Sequence, residues 1–332
     1  MSTPPAVRTA TALLRAEDLV KRYPVRHGLT RRLAGHVAAV NGVSLEVRAG
    51  ETLGLVGESG CGKSTLGRML TRLIEPTSGS VCFDGRELCG LGDDALRPVR
   101  RELQMIFQDP FSSLNPRQTV RQILTAPFRY QHLPPGEPVE ALLERVGLRP
   151  EHARRHPHEF SGGQAQRIGI ARALALRPRL VVCDEPVSAL DVSVQAQILN
   201  LLADLQDELG LAYVFIAHDL GVVRQISTRI AVMYLGTIVE IAGRDALFAR
   251  PAHPYTHALL AAVPLPDPDA ERNRERVVLR GDPPSPLQPP SGCPFRTRCP
   301  RADERCAAEK PVLRDLAPGH RVACHHPEET PA

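Results

Sequence analysis

The 332-residue sequence contains no tryptophan, and aromatic residues make up only 4% of it. It also lacks any apolar run near the roughly twenty residues that a membrane-spanning helix requires. The formal net charge is only +4, and we interpret the basic clusters at 26–32 and 97–101 as solvated surface rather than as a nucleic-acid-binding stripe. These absences exclude a membrane-spanning chain and disfavour a nucleic-acid partner.

A signal-peptide core is missing as well. The apolar piece at 11–14 is too short for one, so we expect residues 1–13 to form a flexible leader and the chain to be cytoplasmic. An apolar content of 42% is ordinary for a globular protein with a full core, and the length suffices for one large α/β domain plus an appendage.

The segment 57–65, GESGCGKST, follows an apolar run and precedes an amphipathic stretch, which predicts a strand, a loop and a helix in that order. The spacing G-x-x-x-x-G-K-S directs backbone N–H groups and a helix N-terminus to one place, which suits a triphosphate. We expect Lys63 to lie along the β and γ phosphates and the Ser64 hydroxyl to bind Mg²⁺. The predicted nucleotide-binding residues of this loop are Gly57, Glu58, Ser59, Gly60, Cys61, Gly62, Lys63, Ser64 and Thr65.

Two carboxylates end a predicted buried strand at 180–184, LVVCD. Asp184 suits the Mg²⁺ shell, and Glu185 suits a water positioned in line with the γ phosphate. The alternative is that the pair only caps the next helix. Downstream of a phosphate loop, we favour the catalytic interpretation.

Two other predicted strands end in polar side chains. Gln108 follows the strand at 103–107 and could reach the metal or its water, although a plain surface loop is the alternative. His218 follows the strand at 212–217 and is expected at the same carboxyl edge of the sheet. An isolated histidine is more often structural, yet an imidazole at that edge can hydrogen-bond a γ phosphate.

A second candidate anion site comprises Ser161, Gly162, Gly163 and Gln164, at the start of a predicted helix over 166–176. One nucleotide cannot easily touch this site and the phosphate loop of the same domain. Head-to-tail dimerisation would allow each nucleotide to lie between the loop of one subunit and the Ser-Gly-Gly of the other. The alternative is a glycine-rich helix cap without a ligand.

Near the amino terminus, the segment 14–20 alternates weakly and is followed by Pro24, which predicts an edge strand. Tyr23, beside that proline, could stack on an adenine or could simply cover the sheet edge.

Taken in order, these motifs resemble those of an ABC transporter ATPase subunit, over residues 13–260. The corresponding motifs are Walker A at 57–65, the Q-loop at Gln108, the signature at 161–164, Walker B at 180–185, the D-loop at 188–191 and the H-loop at His218. The resemblance implies that Tyr23 stacks on adenine, that Glu185 is the general base and that His218 is a switch. We accordingly assign catalysis to Glu185, His218, Gln108 and Lys63, Mg²⁺ binding to Ser64, Gln108 and Asp184, and nucleotide contact also to Asp191.

The fold class that follows is α/β: a P-loop NTPase (ABC ATPase) with a mixed β-sheet and a helical subdomain, plus a small Cys-rich C-terminal extension. We predict a nucleotide-binding domain at 14–262, with the helical subdomain at about 109–176, and a Pro/Cys-rich extension at 263–332. Two positions depart from the family pattern, since Phe160 stands where leucine is commoner and Ala165 where arginine often follows.

Four cysteines lie in the tail with the spacing C-x5-C-x6-C-x17-C: Cys293, Cys299, Cys306 and Cys324. In a reducing compartment, a metal explains such a cluster better than two disulfides. Zinc usually prefers shorter gaps between ligands, whereas iron–sulfur clusters accept wide ones. We favour [4Fe-4S] and keep zinc as the alternative.

The tail, with GCPF at 292–295 and RCP at 298–300, resembles the C-terminal region of ATPase subunits of oligopeptide and dipeptide importers. This implies ATP-driven peptide import at the cytoplasmic face of the membrane, with a second ATPase subunit, identical or similar, two membrane permease subunits and an extracytoplasmic solute-binding protein. The surface at 111–117 would pass dimer closure to the permeases. The alternatives are import of another solute, such as a nickel chelate or glutathione, and a soluble ABC ATPase outside transport.

Overall fold

A computed structural model describes residues 12–27, 32–134, 136–263, 272 and 281–328. Within these residues the strands are β1 Ala12–His27, β2 Arg32–Arg48, β3 Thr52–Val56, β4 Ser78–Phe83, β5 Arg86–Glu87, β6 Leu103–Ile106, β7 Leu180–Asp184, β8 Ala212–Ile216, β9 Arg229–Tyr234, β10 Thr237–Gly243, β11 Arg314–Ala317 and β12 His320–Val322. The helices are α1 Lys63–Leu70, α2 Asp93–Leu96, α3 Val99–Glu102, α4 Pro110–Ser113, α5 Val120–Tyr130, α6 Val139–Arg145, α7 Gly162–Leu174, α8 Val192–Leu209, α9 Leu220–Ile226, α10 Arg244–Ala249, α11 Pro254–Ala261 and α12 Glu304–Ala308.

The larger sheet has eight strands in the order β11-β12-β10-β9-β3-β8-β7-β6. Its strands from β9 to β6 pair in parallel, and β9, β10, β12 and β11 pair antiparallel, so the predicted mixed sheet is confirmed. Every residue of β3, β7 and β8 is buried. Such continuous burial is expected of parallel strands covered on both faces.

Alternate side chains of the central strands enter two different cores. Leu53 and Leu55 of β3 pack in a core shared with α1 and the smaller sheet. Tyr213 and Phe215 of β8 pack in a core shared with α7, α8 and α9. Because successive strand residues point to opposite faces, these runs of apolar residues hold both layers onto the sheet. The carboxyl ends of the parallel strands are thereby held at one edge.

The smaller sheet has the order β2-β1-β4-β5, so the prediction of an edge strand at 14–20 is wrong. β1 pairs with β4 only as far as Val20, opposite Ser78, and then continues beside β2 to its end. Pro24 therefore lies in the part of β1 that has one neighbour, where a missing N–H interrupts no ladder on the β4 side.

The ends of the predicted leader and extension fall partly outside the described residues. β1 begins at Ala12, so Ala12 and Leu13 belong to the sheet rather than to the predicted leader. The described residues do not include 1–11 of the leader, or 264–271, 273–280 and 329–332 of the extension.

The segment 109–176 contributes the short α4 and three longer helices, α5, α6 and α7. Two of them begin with a capping box, in which the side chain of each of two residues accepts a hydrogen bond from the backbone N–H of the other. Thr119 and Gln122 form the capping box at α5, and Ser161 and Gln164 form it at α7. These caps satisfy N–H groups that have no partner within the helix, which explains where each helix starts. The helix predicted over 166–176 accordingly begins earlier, at Gly162.

The C-terminal segment 281–328 joins the larger sheet, because β12 pairs with β10 and places Val322 opposite Glu240. Residues 281–290, which are rich in proline, contain no helix or strand. None of the helices in the described ranges combines the length and the apolar character needed to cross a bilayer.

Candidate functional site

The phosphate loop connects the buried end of β3 to the first turn of α1. Gly62 caps α1 with φ of 105°, a left-handed conformation that side chains other than glycine rarely adopt. A Cβ atom at this position would lie 2.0 Å from the carbonyl oxygen of Ala39 in β2. The glycine is therefore required both by the backbone angle and by the close approach of β2.

The Lys63 side chain lies under the loop and is 4% exposed. Its ammonium group donates hydrogen bonds to the carbonyl oxygens of Gly57, at 2.8 Å, and Glu58, at 3.0 Å. The same nitrogen lies 4.0 Å from Oε1 of Glu185. A positive charge is thus held between the loop and the end of β7.

Ser64 and Asp184 meet where α1 begins and β7 ends. The Ser64 hydroxyl donates a hydrogen bond of 2.7 Å to Oδ1 of Asp184, whose side chain is buried. Burial raises the pKa of Asp184 above its usual value, and the hydrogen bond from Ser64 opposes that rise. A hydroxyl and a carboxylate this close can both bind a hard divalent cation such as Mg²⁺.

The Glu185 carboxylate, at the end of β7, is contacted by side chains that follow the two neighbouring strands. Its Oε2 accepts a hydrogen bond from Nε2 of Gln108 at 3.1 Å and lies 3.4 Å from Nδ1 of His218. Because β6, β7 and β8 are neighbouring parallel strands, the residues that follow them arrive at one edge of the sheet. The Glu185 backbone has φ of 45°, and a left-handed non-glycine residue costs about 1–3 kcal/mol. The residue that carries this carboxylate therefore lies in a strained turn.

The structure therefore brings together one group of predicted site residues: Lys63, Ser64, Gln108, Asp184, Glu185 and His218. The other loop residues, Ser59, Gly60, Cys61 and Thr65, lie in the same loop or in the first turn of α1. Their separate roles remain predictions.

The predicted second anion site is not part of this group. Ser161, Gly162, Gly163 and Gln164 form the first turn of α7, where the side chain of Ser161 accepts a hydrogen bond from the Gln164 N–H. A Cβ atom on Gly163 would lie 2.6 Å from a methyl carbon of Val194 in α8. Across the described part of the chain, this turn makes no hydrogen bond or ion pair to the loop at 57–65. Asp191 precedes α8 as its N-cap and makes none to the loop either.

Tyr23 lies opposite Val37 in the pairing of β1 with β2, and its side chain is 37% exposed. Ala39, two residues further along β2, carries the carbonyl oxygen that approaches Gly62. This register places the aromatic ring on the strand pair that flanks the start of α1.

Two side chains that no sequence motif indicates also contact the phosphate loop. The Tyr255 hydroxyl, from α11, accepts a hydrogen bond of 2.9 Å from the Glu58 N–H. Arg298, from the C-terminal segment, donates to both carboxylate oxygens of Glu58 at 3.0 and 2.8 Å. The two partners are 240 positions apart, and no spacing pattern in the sequence connects them.

The four tail cysteines line one small cavity. Cys293, Cys306 and Cys324 are buried and Cys299 is half-buried. Burial raises the pKa of each thiol, in the case of Cys324 to about 11. Among the described residues, the group of potential metal ligands within 4.8 Å of one another is Asp303, Cys306 and His326, which contains one cysteine.

Two sequence-family models match this chain. Residues 40–188 match the family described as ABC transporter, and residues 239–306 match the C-terminal region of oligopeptide/dipeptide transporters. The second match includes Tyr255 and Arg298, the two residues whose side chains contact Glu58.

Curated proteins and a solved structure agree with these matches. The chain is 54% identical over 318 residues to the oligopeptide transport ATP-binding protein AppF of Bacillus subtilis (strain 168), covering 94% of this chain and 97% of the relative. It is 55% identical over 291 residues to OppF of Escherichia coli (strain K12), covering 86% and 87%. The dimeric, post-hydrolysis structure of the ATP-binding cassette MJ0796 bound to ADP and Pi has a TM-score of 0.62 at 29% identity, over 70% of this chain and 98% of that one.

Proposed function

This chain belongs to the ABC transporter family as one of its ATP-binding subunits, and we propose that it powers the import of oligopeptides or dipeptides. It is an ABC-type ATPase that takes ATP with Mg²⁺. The observation that carries the proposal is the convergence of Gln108 and His218 on the carboxylate of Glu185, beside Lys63. The match of the C-terminal region to peptide transporters supports the choice of substrate.

In the proposed mechanism, Glu185 accepts the proton of a water that attacks the γ phosphate. Its carboxylate lies at the mouth of the site, 14% exposed, where a water can reach it, and the contact with Gln108 orients it. Lys63 neutralises charge on the phosphates, which supports in-line attack. His218, on the other side of Glu185, would sense whether the γ phosphate is present. A bound Mg²⁺, held by Ser64, Asp184 and Gln108, would offset the charge that develops on the phosphate oxygens.

A closed dimer completes the proposed site. The turn at 161–164 makes no hydrogen bond or ion pair to the phosphate loop of its own chain in the described residues, so we assign it to the nucleotide bound by a second subunit. Asp191, in the turn that precedes α8, would lie at the same boundary. ATP binding would hold the two subunits together and hydrolysis would release them. The second subunit is either another copy of this chain or a similar ATPase.

The docking place that we propose for the membrane subunits is a groove between α1, β6 and α5. It is lined by Leu73, Phe107, Ser113 and Tyr130, among other residues. Tyr130 is 79% exposed and Leu73 is 49% exposed, and Phe111 of α4 is exposed nearby in the chain. Exposed apolar side chains around a groove are typical of a protein interface. The groove adjoins the loop after Gln108, so closure at the nucleotide could reach the permeases.

We assign the nucleotide-binding domain to residues 14–262, extended at its start by Ala12 and Leu13 of β1, and the Pro/Cys-rich extension to 263–332. We place the subunit peripherally at the cytoplasmic face, with two permeases and an extracytoplasmic binding protein as its partners. The relatives named as oligopeptide transport proteins support this arrangement.

Peptide uptake tests the transport proposal. Membrane vesicles that contain this chain and its co-purified permeases, with ATP inside and the solute-binding protein outside, are expected to accumulate a labelled oligopeptide. Uptake should fall to background when this chain carries Glu185→Gln, because permease movement then has no hydrolytic reset. Vesicles that accumulate a nickel chelate or glutathione but no peptide would contradict the choice of substrate. Failure of this chain to co-purify with any membrane subunit would contradict transport itself.

For the tail cysteines we propose an iron–sulfur cluster, [4Fe-4S], rather than zinc. A single tetrahedral zinc ion with Zn–S bonds of about 2.3 Å would hold its sulfurs about 3.8 Å apart. In the described residues no three cysteine sulfurs lie within 4.8 Å of one another, although all four line one cavity. A cluster of several irons separates its thiolates more widely than one ion does. When bound, the cluster would cross-link the segment 281–328.

Metal analysis of anaerobically purified protein tests this proposal. The wild type is expected to be brown, with iron and inorganic sulfide in equal amounts, and Cys306→Ser is expected to lose most of both, because one of four ligands is gone. Cys89→Ser is the matched control, since Cys89 is half-buried and lies outside the tail group. A colourless, iron-free wild type with stoichiometric zinc would show that the tail holds zinc instead.

A further inference from the structure

Glu58, the second residue of the phosphate loop, has each of its polar groups held by a different side chain. Its N–H donates to the Tyr255 hydroxyl at 2.9 Å, and its carbonyl oxygen accepts from the Lys63 ammonium at 3.0 Å. Its carboxylate accepts two hydrogen bonds from the Arg298 guanidinium. Two of these three partners come from outside the strand–loop–helix unit that contains Glu58.

The ion pair of Arg298 with Glu58 is largely withdrawn from water. The Arg298 side chain is 6% exposed and that of Glu58 is 24% exposed. A charge-assisted pair in such a place is stronger and more directional than one on the surface. Removing either partner leaves the other charge poorly compensated, so the pair favours a single position of the loop.

The side chains that hold Glu58 are themselves rigidly placed. Tyr234, Tyr255 and Phe295 form an aromatic cluster with ring centroids 4.7 to 5.4 Å apart, and the Arg298 guanidinium lies 6.0 Å from the Tyr234 ring centroid. His253 caps α11 by accepting a hydrogen bond from the Tyr255 N–H. Phe295 and Arg298 both lie between the first two tail cysteines. The C-terminal segment therefore forms a fixed support behind the loop.

We propose that Arg298 and Tyr255 are positioning residues for the phosphate loop, so that nucleotide affinity depends on the folded segment 281–328. They hold Glu58 in place, so the neighbouring backbone N–H groups of the loop already face the position of the phosphates. Nucleotide binding then does not have to order the loop, and the loss of conformational entropy on binding is smaller. Neither side chain needs to touch the nucleotide. The proposal rests on nucleotide binding at this loop, which is part of the proposed function.

The test compares variants at both ends of the two contacts. Full-length Arg298→Gln and Glu58→Gln are each expected to raise the Kd for MgADP, and the KM for ATP, about tenfold. For Arg298→Gln, which lies outside the predicted nucleotide-binding residues, kcat at saturating ATP should stay within about twofold of wild type. Arg298→Lys should recover part of the loss, because it keeps the charge. The double variant Arg298→Gln/Glu58→Gln should bind MgADP no more weakly than the weaker-binding of the two single variants, because both substitutions remove the same ion pair. Arg305→Gln removes an exposed ion pair with Glu309 in the same segment and is the control expected to bind as wild type.

Tyr255→Phe gives a second, milder measurement, because it removes only a hydroxyl. We expect a Kd about fivefold higher and faster amide exchange in the loop at 57–62. This variant and Glu58→Gln decide the matter if Arg298→Gln fails to fold. Unchanged Kd in both, additive effects of the Arg298 and Glu58 changes, or a fall in kcat at constant Kd would each overturn the inference. A wild type that binds no nucleotide would instead overturn the proposed function, and the inference with it.

Discussion

Replacing Glu185 by glutamine is expected to lower ATP turnover by about 10²- to 10⁴-fold while ATP binding is retained. The amide has nearly the shape of the carboxylate and can still contact Gln108 and His218, but it cannot accept a proton from the attacking water. Binding is expected to survive because the groups that we propose contact the phosphates, above all the loop N–H groups and Lys63, are unchanged. Single-turnover hydrolysis together with equilibrium binding of ATP separates the two effects.

The same variant is also expected to accumulate as a closed dimer when ATP is present, because in the proposed mechanism ATP binding closes the dimer and hydrolysis reopens it. Light scattering with ATP and with ADP measures this. Glu144→Gln is a suitable control, since Glu144 is an exposed glutamate near the end of α6, in the helical region at 109–176. Turnover at the wild-type rate in Glu185→Gln would exclude Glu185 as the base. A preparation that stays monomeric with ATP and its partner subunits would exclude the shared site.

Replacing Gly62 by alanine is expected to weaken nucleotide binding at least a hundredfold. The backbone there has φ of 105°, and the new Cβ would lie 2.0 Å from the backbone oxygen of Ala39, which cannot move without shifting β2. The angle alone costs about 1–3 kcal/mol, and the steric overlap adds to it. The loop must then displace its N–H groups from the phosphate position. Calorimetric titration with MgADP measures the loss.

Gly50→Ala is the matched control for that substitution. Gly50 also has a positive φ, of 70°, but a Cβ there meets nothing within 4 Å. Gly50→Ala should therefore lower the free energy of unfolding by about 1 kcal/mol and leave nucleotide binding unchanged. If Gly62→Ala is folded, as judged by circular dichroism, and binds nucleotide as tightly as Gly50→Ala does, the steric argument is wrong.

Much of the candidate site could be predicted because its residues follow buried apolar strands. Gln108, Glu185 and His218 each come directly after such a run, and parallel strands present their carboxyl ends at one edge. The start of α7 could also be predicted from sequence, because Ser161 and Gln164 are close in sequence and cap the helix through hydrogen bonds to each other's backbone N–H groups. The position of β1 within its sheet could not be predicted. Whether a strand lies at an edge depends on which distant strands pair with it, and β4 pairs with β1 from more than fifty residues away.

The sequence by itself determined the elements that form locally: the phosphate loop and its glycines, the strand ends that carry the polar side chains, and the helix caps. Their physical basis is the restricted backbone of a few neighbouring residues and the period of the apolar pattern. Only the tertiary structure decided that Arg298 and Tyr255 hold Glu58, that four spaced cysteines line one cavity, and that, in the described part of the chain, no hydrogen bond or ion pair joins the turn at 161–164 to the phosphate loop. These relations join residues from distant parts of the chain, and they arise from how whole layers pack, which no short stretch of sequence encodes.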